Sequence, residues 1–394
     1  MASTNSRPLE HDDARGAQRP RLCHIAPYVE STGDEAIALA AMAGLHLDDW
    51  QQFVLRESLG ERPDGRWVAK TVGLCVPRQN GKGSILEARE LAGLFLLDEQ
   101  LIIHTAHLQK TATSHFRRLR NLIKRVPEFE SRVVSAPTGK GSEAIHLDTG
   151  QTIFFATRSG GGGRGLTADL IVYDEAMYLS EQDRSSLAPT MAARSMDGNI
   201  QTWYAGSAVD QLDPAHDGVP FAQVRQRGID GAKGVTYFEW SAEGDDPDAI
   251  PAAVAADPTV QAVANPSRGI RISAEWIEHE RTVELGPRGF AVERLGIGDW
   301  PDITDASLRV ISSEKWQAAR CTDESKRIEG VRTFAADVNP SRTWGAICVA
   351  GRRDDDLLHF ATVVHLRGTG WMLERMEALH ADDPDAVFVM DPRG

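Results

Sequence analysis

"VGLCVPRQNGKGSILEARELAGLFL", residues 72–96, decides the fold of the first part of the chain. It begins with a short apolar run typical of a buried strand, and it ends with the apolar spacing of a helix. Between them lies a polar loop that contains Gly81, Lys82, Gly83 and Ser84. A strand, tight loop and helix in this order direct backbone N–H groups and a helix N-terminus at one point, which is an anion site. The loop is therefore a candidate site for the β- and γ-phosphates of ATP.

The loop departs from the full phosphate-loop pattern. That pattern has a glycine five residues before the Gly-Lys pair and Ser or Thr directly after the lysine. This sequence has no glycine at the first place and Gly83 at the second, and Ser84 comes one residue late. An ordinary structural turn is the alternative to phosphate binding.

A second stretch favours the nucleotide interpretation. "ADLIVYDEAMYLS", residues 168–180, is an apolar strand that ends in Asp174 and Glu175. Phosphoryl transfer to water needs one acid that holds Mg²⁺ and another group that orients the water. A buried strand with a solvated acidic tip is the alternative, but a phosphate-loop candidate upstream favours catalysis.

Composition bounds the class of protein. The chain has 394 residues and a formal net charge of −14, which allows two or three domains and argues against a surface coated for DNA, although not against a local basic groove. No apolar run is long enough for a membrane span, and the start lacks the apolar core of a secretory signal. The four cysteines are far apart and predict neither a zinc site nor a disulfide framework. We expect a cytosolic protein that does not enter membranes.

Strand and helix signals alternate along the first part of the chain, which predicts an α/β fold with a mainly parallel sheet between helices. The predicted strands are 71–76, 101–106, 152–156, 169–174 and 200–206, and the predicted helices are 84–97 and 108–125. We expect four regions: a flexible N-terminal tail (1–35), a phosphate-loop ATPase domain (36–255), a helical linker region (256–330) and a second domain (331–394).

The second domain restarts with a different pattern. Three strands, a helix and a fourth strand follow one another, and acids stand at the ends of the first and last strands, at Asp337 and Asp391. This order is that of the opening half of a ribonuclease H-like fold, in which paired carboxylates hold two divalent ions.

Together these elements resemble the large terminase subunit of tailed bacteriophages, a DNA-packaging motor that joins an ASCE-type ATPase to a ribonuclease H-like nuclease. The resemblance implies ATP and Mg²⁺ as ATPase cofactors and Mg²⁺ or Mn²⁺ for the nuclease. It also implies double-stranded DNA, a portal protein and a small terminase subunit as partners. The active form would be a homo-oligomeric ring, a pentamer, in the host cytoplasm and transiently at the portal vertex of the procapsid.

The first part of the ATPase carries the nucleotide-binding motifs by this resemblance. "PRQNGKG", residues 77–83, resembles a deviant Walker A motif in which Lys82 contacts phosphates and Arg78 adds charge near the γ-phosphate. "LDDWQQFVL", residues 47–55, resembles the adenine-recognising segment, with Gln51 as base contact, although a helix with polar outer positions explains it equally well. The remaining loop residues expected to bind nucleotide are Gln79, Asn80, Gly81, Gly83 and Ser84, with Ser84 or a water as the Mg²⁺ ligand.

The later motifs supply the catalytic groups. Asp174 matches the Walker B acid that holds Mg²⁺, and Glu175 matches the catalytic glutamate. Arg164, on a glycine-rich loop, resembles an arginine supplied across a subunit boundary; binding DNA or solvent is its alternative role. Ser207, in "TWYAGSAVD" (residues 202–210), resembles a γ-phosphate sensor in the coupling motif.

The nuclease and the DNA contacts are further expectations. Asp337 and Asp391 match the first two metal-binding acids of the nuclease. Because a further acid would follow the fourth strand, we expect the nuclease domain to be incomplete and to cut DNA poorly. One predicted helix concentrates cations that could contact DNA, although a solvated helix face is the commoner explanation. These cations are Lys110, Arg117, Arg118, Arg120, Lys124 and Arg125.

The sequence therefore predicts an ATP-driven motor subunit that moves viral double-stranded DNA into a procapsid and, in the complete protein, cuts concatemeric DNA by a two-metal mechanism. A helicase-type DNA-dependent ATPase shares the loop and the acid pair but would repeat an ATPase-like core. A non-catalytic packaging adaptor with a decayed loop is the other alternative, for which Gly83 is the best argument.

Overall fold

The computed structural model describes residues 15–139, 141–158, 167–194, 198–301, 303, 319–321, 327–338 and 344–390. The chain divides into two compact units, Met1–Ala306 and Ser307–Gly394. Each unit is described by itself.

The first unit contains eleven strands within its described residues. They are β1 (Leu22–His24), β2 (Glu30–Ser31), β3 (Gly60–Glu61), β4 (Thr71–Cys75), β5 (Leu101–Ala106), β6 (Val133–Ser135), β7 (Ala144–Leu147), β8 (Thr152–Thr157), β9 (Leu170–Asp174), β10 (Gln201–Gly206) and β11 (Val235–Glu239).

The helices of this unit range in length from 4 to 16 residues. They are α1 (Gly33–Met42), α2 (Asp49–Ser58), α3 (Lys82–Phe95), α4 (Gln109–Lys124), α5 (Pro127–Ser131), α6 (Glu181–Leu187), α7 (Val219–Ile229), α8 (Ala252–Ala255), α9 (Pro258–Ala264), α10 (Ala274–His279) and α11 (Pro287–Glu293). The described residues also form 3₁₀ segments at Ala176–Tyr178, Ala188–Arg194 and Pro247–Ala249 and a π-helical segment at Glu280–Glu284.

Nine of these strands form one sheet in the order β1-β11-β4-β10-β9-β5-β8-β7-β6. The six from β11 to β8 run parallel, and β1, β7 and β6 add antiparallel edges. The predicted mainly parallel sheet is therefore confirmed. One strand, β10, separates β4 from β9, so the loop after β4 and the acid pair after β9 emerge at the same carboxyl edge.

Alternating side chains of the central strands enter two apolar layers, one on each face of the sheet. Leu170 and Val172 pack with α1, α2, α3 and α4, whereas Ile171 and Tyr173 pack with α6 and α7. Strands buried on both faces read as continuous apolar runs, which is why β9 was recognisable from sequence.

The expectation of a flexible tail over residues 1–35 is wrong for residues 15–35. Strand β1 pairs with β11, and the Arg21 guanidinium donates to Ser241 and reaches Glu239 at 3.2 Å. Trp240 Nε1 also donates to the Ala17 carbonyl at 2.7 Å. These contacts depend on residues more than two hundred positions away, so local composition could not reveal them. Residues 1–14 lie outside the described residues.

The region expected to be a helical linker, 256–330, is not a separate spacer in its first half. Helices α10 and α11 contribute Ile277 and Phe290 to a small apolar cluster with Ile272 and Ile297. Buried Asn265 and Ser267 hydrogen-bond Asn80 of the phosphate-loop candidate. This part of the chain therefore belongs to the first unit, because its polar side chains complete the packing beneath that loop.

The second unit is a four-stranded sheet in the order β14-β13-β12-β15, formed by β12 (Ile328–Val338), β13 (Trp344–Arg353), β14 (Leu358–Arg367) and β15 (Val387–Met390). The first three strands are antiparallel, and β15 runs parallel to β12. Helix α12 (Met372–Asp382) packs through Met372, Met376 and Leu379 against the apolar cluster of this sheet. The predicted order of three strands, helix and strand is confirmed.

Among the described residues, no helix combines the length and the apolar character needed to cross a membrane.

Candidate nucleotide site

The phosphate-loop candidate joins the carboxyl end of β4 to the first turn of α3. Gly81 is the N-cap of α3 with φ +97°, and Gln79 also has a left-handed backbone with φ +62°. Gly81 adopts this conformation without the steric cost that a side chain would bring. The loop therefore turns the free N–H groups at the start of α3 toward the carboxyl edge of the sheet, where a phosphate can accept hydrogen bonds from them.

Buried polar side chains brace the loop from behind. Asn80 Nδ2 donates to the Pro77 carbonyl at 3.2 Å and to Asn265 Oδ1 at 3.1 Å. Asn80 Oδ1 accepts from the Ser267 N–H at 3.0 Å, and Ser267 Oγ donates to the Asn80 carbonyl at 2.6 Å. The side-chain amide of Asn80 is thus hydrogen-bonded to other protein groups. A nucleotide contact at this position would have to come from the Asn80 backbone.

Gln51, expected to read the base, lies fully buried beneath the same loop. Its Nε2 donates to the Gly81 carbonyl at 2.8 Å, and its Oε1 accepts from the Asp48 N–H at 2.8 Å. In the structure, Gln51 therefore supports the loop from beneath, a role that sequence reasoning missed. Its contact with a nucleotide base stays a prediction.

Lys82 is the first residue of α3 and is half-buried, as are Gly83 and Ser84. A Cβ at position 83 would come within 3.3 Å of Arg118 Nη2, the mobile end of a side chain on α4. Ser84 lies in the first turn and its N–H donates to the Gly81 carbonyl at 3.2 Å. Its role as a metal ligand stays a prediction.

Arg78 already has two partners at the outer side of the loop. Its Nη2 donates to the Tyr178 hydroxyl at 3.0 Å, and its Nε lies 3.0 Å from Glu293 Oε2 on α11. Burial raises the pKa of Glu293, and the charges of Arg78 and Lys82 oppose this shift. A carboxylate therefore neutralises part of the positive charge of the loop.

Asp174 and Glu175 stand at the carboxyl end of β9, as predicted. Asp174 is buried, and its Oδ1 accepts from the Glu175 N–H at 2.8 Å. Glu175 has a left-handed backbone with φ +53°, and Thr111 Oγ1 lies 3.4 Å from its Oε1. Its other carboxylate oxygen is buried and has no hydrogen-bond partner among the described residues. That oxygen can accept a hydrogen bond from a water molecule.

Arg158, at the end of β8, holds the backbone of this acid pair. Its guanidinium donates to the carbonyls of Asp174 and Glu175, the second at 3.2 Å. Sequence reasoning missed Arg158 because an arginine beside a glycine-rich run carries no signal of what lies behind it.

An aromatic cluster also lies at this edge. The His107 ring stacks on Tyr178 at 4.4 Å, and His216 meets Tyr178 edge-on at 4.6 Å.

Ser207, the predicted γ-phosphate sensor, follows β10 and is buried, with its Oγ 3.9 Å from Met177 Sδ. Its sensor role stays a prediction.

Glu90, His104 and His115 form a fully buried cluster between α3, β5 and α4 that sequence reasoning also missed. Each imidazole places one nitrogen 2.7 Å from a Glu90 oxygen, and the two rings stack at 4.0 Å with an interplanar angle of 16°. Both nitrogens that approach Glu90 are within hydrogen-bond distance of its two carboxylate oxygens. This arrangement suits two N–H donors on one carboxylate better than a metal.

The basic helix α4 presents a mixed face. Arg118 pairs with Glu87, and Arg120 pairs with Glu130. Lys110, Arg117, Lys124 and Arg125 are exposed. Neighbouring acids thus neutralise part of the charge, and a DNA contact by this helix stays a prediction.

The remaining predicted residues are divided between described and undescribed parts of the chain. Asp337 is exposed on β12, where Ala336 is in register with Met390 of the parallel β15. Arg164 and Asp391 lie outside the described residues.

Comparisons with known proteins bear on the fold. No protein-family model and no curated protein matches the sequence significantly. The crystal structure of the HK97 bacteriophage large terminase matches 92% of this chain and 74% of its own length, with a TM-score of 0.54 and 14% identity. The large terminase of a thermophilic bacteriophage, in complex with ADP, matches 87% of this chain and 77% of its own length, with a TM-score of 0.41 and 12% identity. The predicted resemblance is therefore confirmed at the level of the fold, by the HK97 structure.

Proposed function

We propose that this chain is an ATP-hydrolysing subunit of a viral DNA-packaging motor. The observation that carries the proposal is the meeting of two elements at one edge of the sheet. The loop before α3 and the Asp174–Glu175 pair are separated by β10 alone. The first supplies N–H donors and Lys82 for phosphates, and the second supplies acids for metal binding and water activation.

The residues at this edge divide the work of hydrolysis. Lys82 and the first turn of α3 bind the β- and γ-phosphates. The Asp174 carboxylate and the Ser84 hydroxyl are hard oxygen donors of the kind that Mg²⁺ prefers, and Mg²⁺ held there would neutralise charge on the phosphates. Glu175 orients a water through its unused carboxylate oxygen. Arg164 approaches from a neighbouring subunit of a ring, and Ser207 reports the presence of the γ-phosphate.

The second unit supports a packaging motor over a helicase. A helicase would repeat an ATPase-like sheet, whereas the four strands here form a different, mostly antiparallel sheet. We propose that Asp337 and Asp391 hold divalent ions of a ribonuclease H-like nuclease. Its partners would be double-stranded DNA, a portal protein and a small terminase subunit.

ATP hydrolysis by the purified chain, with and without double-stranded DNA, tests the proposal. We expect Lys82→Ala to abolish turnover and weaken nucleotide binding, since lysine contacts phosphate in the ground state. Glu175→Gln should abolish turnover but leave binding nearly intact, because glutamate acts chiefly in the transition state.

Two matched variants control for charge removal alone. Lys70 is exposed just before β4, at the opposite edge of the sheet, and Glu181 is an exposed partner of Arg184. Lys70→Ala and Glu181→Gln should hydrolyse ATP normally. Wild-type protein that binds nucleotide but never hydrolyses it would favour the adaptor alternative, and ATP-dependent strand separation would favour the helicase.

A further inference from the structure

We propose that Arg158 is a positioning residue that holds Glu175 in its catalytic conformation. This inference rests on the proposed ATPase function and extends it to a residue that does not touch the nucleotide. Arg158 is only 8% exposed, so its guanidinium acts on neighbouring protein groups.

The hydrogen bonds of Arg158 are unusual for a buried arginine. A guanidinium normally forms its strongest bonds with carboxylates. Here it instead donates to the backbone carbonyls of Asp174 and Glu175. Arg158 Nε is buried without a hydrogen-bond partner among the described residues. Among the described residues, the Arg158 guanidinium therefore makes its hydrogen bonds to the backbone of the acid pair.

The backbone that Arg158 contacts has an unfavourable conformation at Glu175. Glu175 is one of four non-glycine residues with positive φ in the described chain, and this conformation costs roughly 1–2 kcal/mol. Two hydrogen bonds from one planar guanidinium to the Asp174 and Glu175 carbonyls fix the peptide planes on both sides of the Glu175 Cα. They thereby fix the direction of its side chain, which leaves Oε2 buried and without a partner in the described part of the chain.

The test compares Arg158→Lys with wild-type chain in steady-state ATP hydrolysis. Lysine keeps the charge but lacks the rigid planar fork that holds two nitrogens in fixed directions toward the two carbonyls. We expect kcat to fall roughly 10- to 100-fold, as misplacement of a catalytic group does. KM for ATP and the affinity for a fluorescent ADP analogue should change little. If the lysine variant does not fold, Arg158→Gln, which donates to one carbonyl, gives the same comparison.

Arg89→Lys is the matched control. Arg89 is fully buried and pairs with Glu99 and Gln201 at the amino edge of the sheet. Its variant should lose thermal stability while keeping kcat, which separates a general packing defect from a positioning role.

A double-mutant cycle with Glu175→Asp identifies the group through which Arg158 acts. The shortened acid is already misplaced, so adding Arg158→Lys should slow it much less than it slows wild type. Additive losses, an unchanged kcat in Arg158→Lys, or a loss of ADP affinity would each overturn the inference. A wild-type chain without ATPase activity would instead refute the proposed function.

Discussion

Arg78 Nε lies 3.0 Å from Glu293 Oε2, so the loop expected to bind phosphate carries its own carboxylate counterion. Arg78 follows β4, whereas Glu293 ends α11, far away in sequence. A phosphate that approaches Arg78 must compete with this carboxylate. In the proposed nucleotide site, we therefore expect this contact to weaken nucleotide binding.

We expect Glu293→Gln to bind ATP more tightly, because it releases Arg78 and removes a negative charge near the phosphates. Arg78 is 45% exposed, so the gain should be modest, roughly two- to five-fold, or up to about 1 kcal/mol. Titration with a fluorescent nucleotide measures it. Glu284→Gln, which removes an exposed carboxylate paired with His279, should leave affinity unchanged. Weaker binding by Glu293→Gln would mean that the pair holds Arg78 in a productive position.

Asn80→Ala should reduce both stability and nucleotide affinity. It leaves the buried Ser267 N–H without its side-chain acceptor and removes one of the two donors to Asn265 Oδ1, which costs roughly 1–3 kcal/mol. Urea denaturation measures the loss of stability, and nucleotide titration measures the loosened loop.

Asn199→Ala is the control for Asn80→Ala. Asn199 also bonds two backbone groups, the Trp67 N–H and the Gly65 carbonyl, but it does so before β10 at the other edge of the sheet. Its variant should lose stability and keep its affinity. Equal losses of affinity in the two variants would show that the loop responds to stability alone.

The buried cluster of Glu90, His104 and His115 should make the first unit sensitive to acid. Burial raises the pKa of Glu90, but the charges of His115 and His104 and their hydrogen bonds outweigh it and lower the pKa to about 2. A carboxyl with a lowered folded-state pKa stabilises the fold above its unfolded-state pKa of about 4.5. That stabilisation disappears as pH falls from about 4.5 toward 2. Burial also lowers the pKa of His104. Burial opposes protonation of His115 as well, but the Glu90 carboxylate outweighs it and raises the pKa of His115, so the two rings affect stability in opposite directions as pH falls below about 6.5.

Glu90→Gln tests this dependence. It should cost roughly 3 kcal/mol near neutral pH, and the difference from wild type should shrink as pH falls below about 4.5. Urea denaturation across this range gives the curve. Glu35→Gln, on the exposed face of α1, should follow wild type throughout. A difference that stays constant with pH would show that Glu90 contributes only through packing.

The sequence predicted the parts of the fold that depend on local apolar patterns. Strands β5 and β9 were expected almost at their observed bounds because their residues are buried on both faces of the sheet. Strand β11 was missed, since it ends in Glu239, an acid that would normally be solvent-exposed. Only the fold reveals that Arg21 and Arg225 neutralise this buried carboxylate.

In the candidate site, too, some features could be predicted from local sequence and others could not. The loop and the acid pair were visible as motifs, because phosphate and metal chemistry demands particular residues at fixed spacing. The supports were not visible, since they come from distant segments: Ser267 behind Asn80, Glu293 beside Arg78 and Arg158 behind Glu175. Hydrogen-bond partners of this kind follow from tertiary packing, which no local pattern encodes.

Arg164→Ala should depress hydrolysis with little effect on nucleotide affinity, if Arg164 neutralises charge that develops on the transferred phosphoryl group. If Arg164 acts on the site of a neighbouring subunit, an intact arginine from another chain should restore activity in rings that contain two kinds of chain. Arg164→Ala chains mixed with Glu175→Gln chains would then regain activity, because some interfaces pair one intact arginine with one intact glutamate. As a control, each variant is mixed with Lys70→Ala chains, which keep both Arg164 and Glu175. The ATPase activity of these rings shows how much activity a ring retains when only some of its subunits are defective. Recovery that follows the number of mixed interfaces would support action between subunits, and no recovery in assembled mixed rings would contradict it.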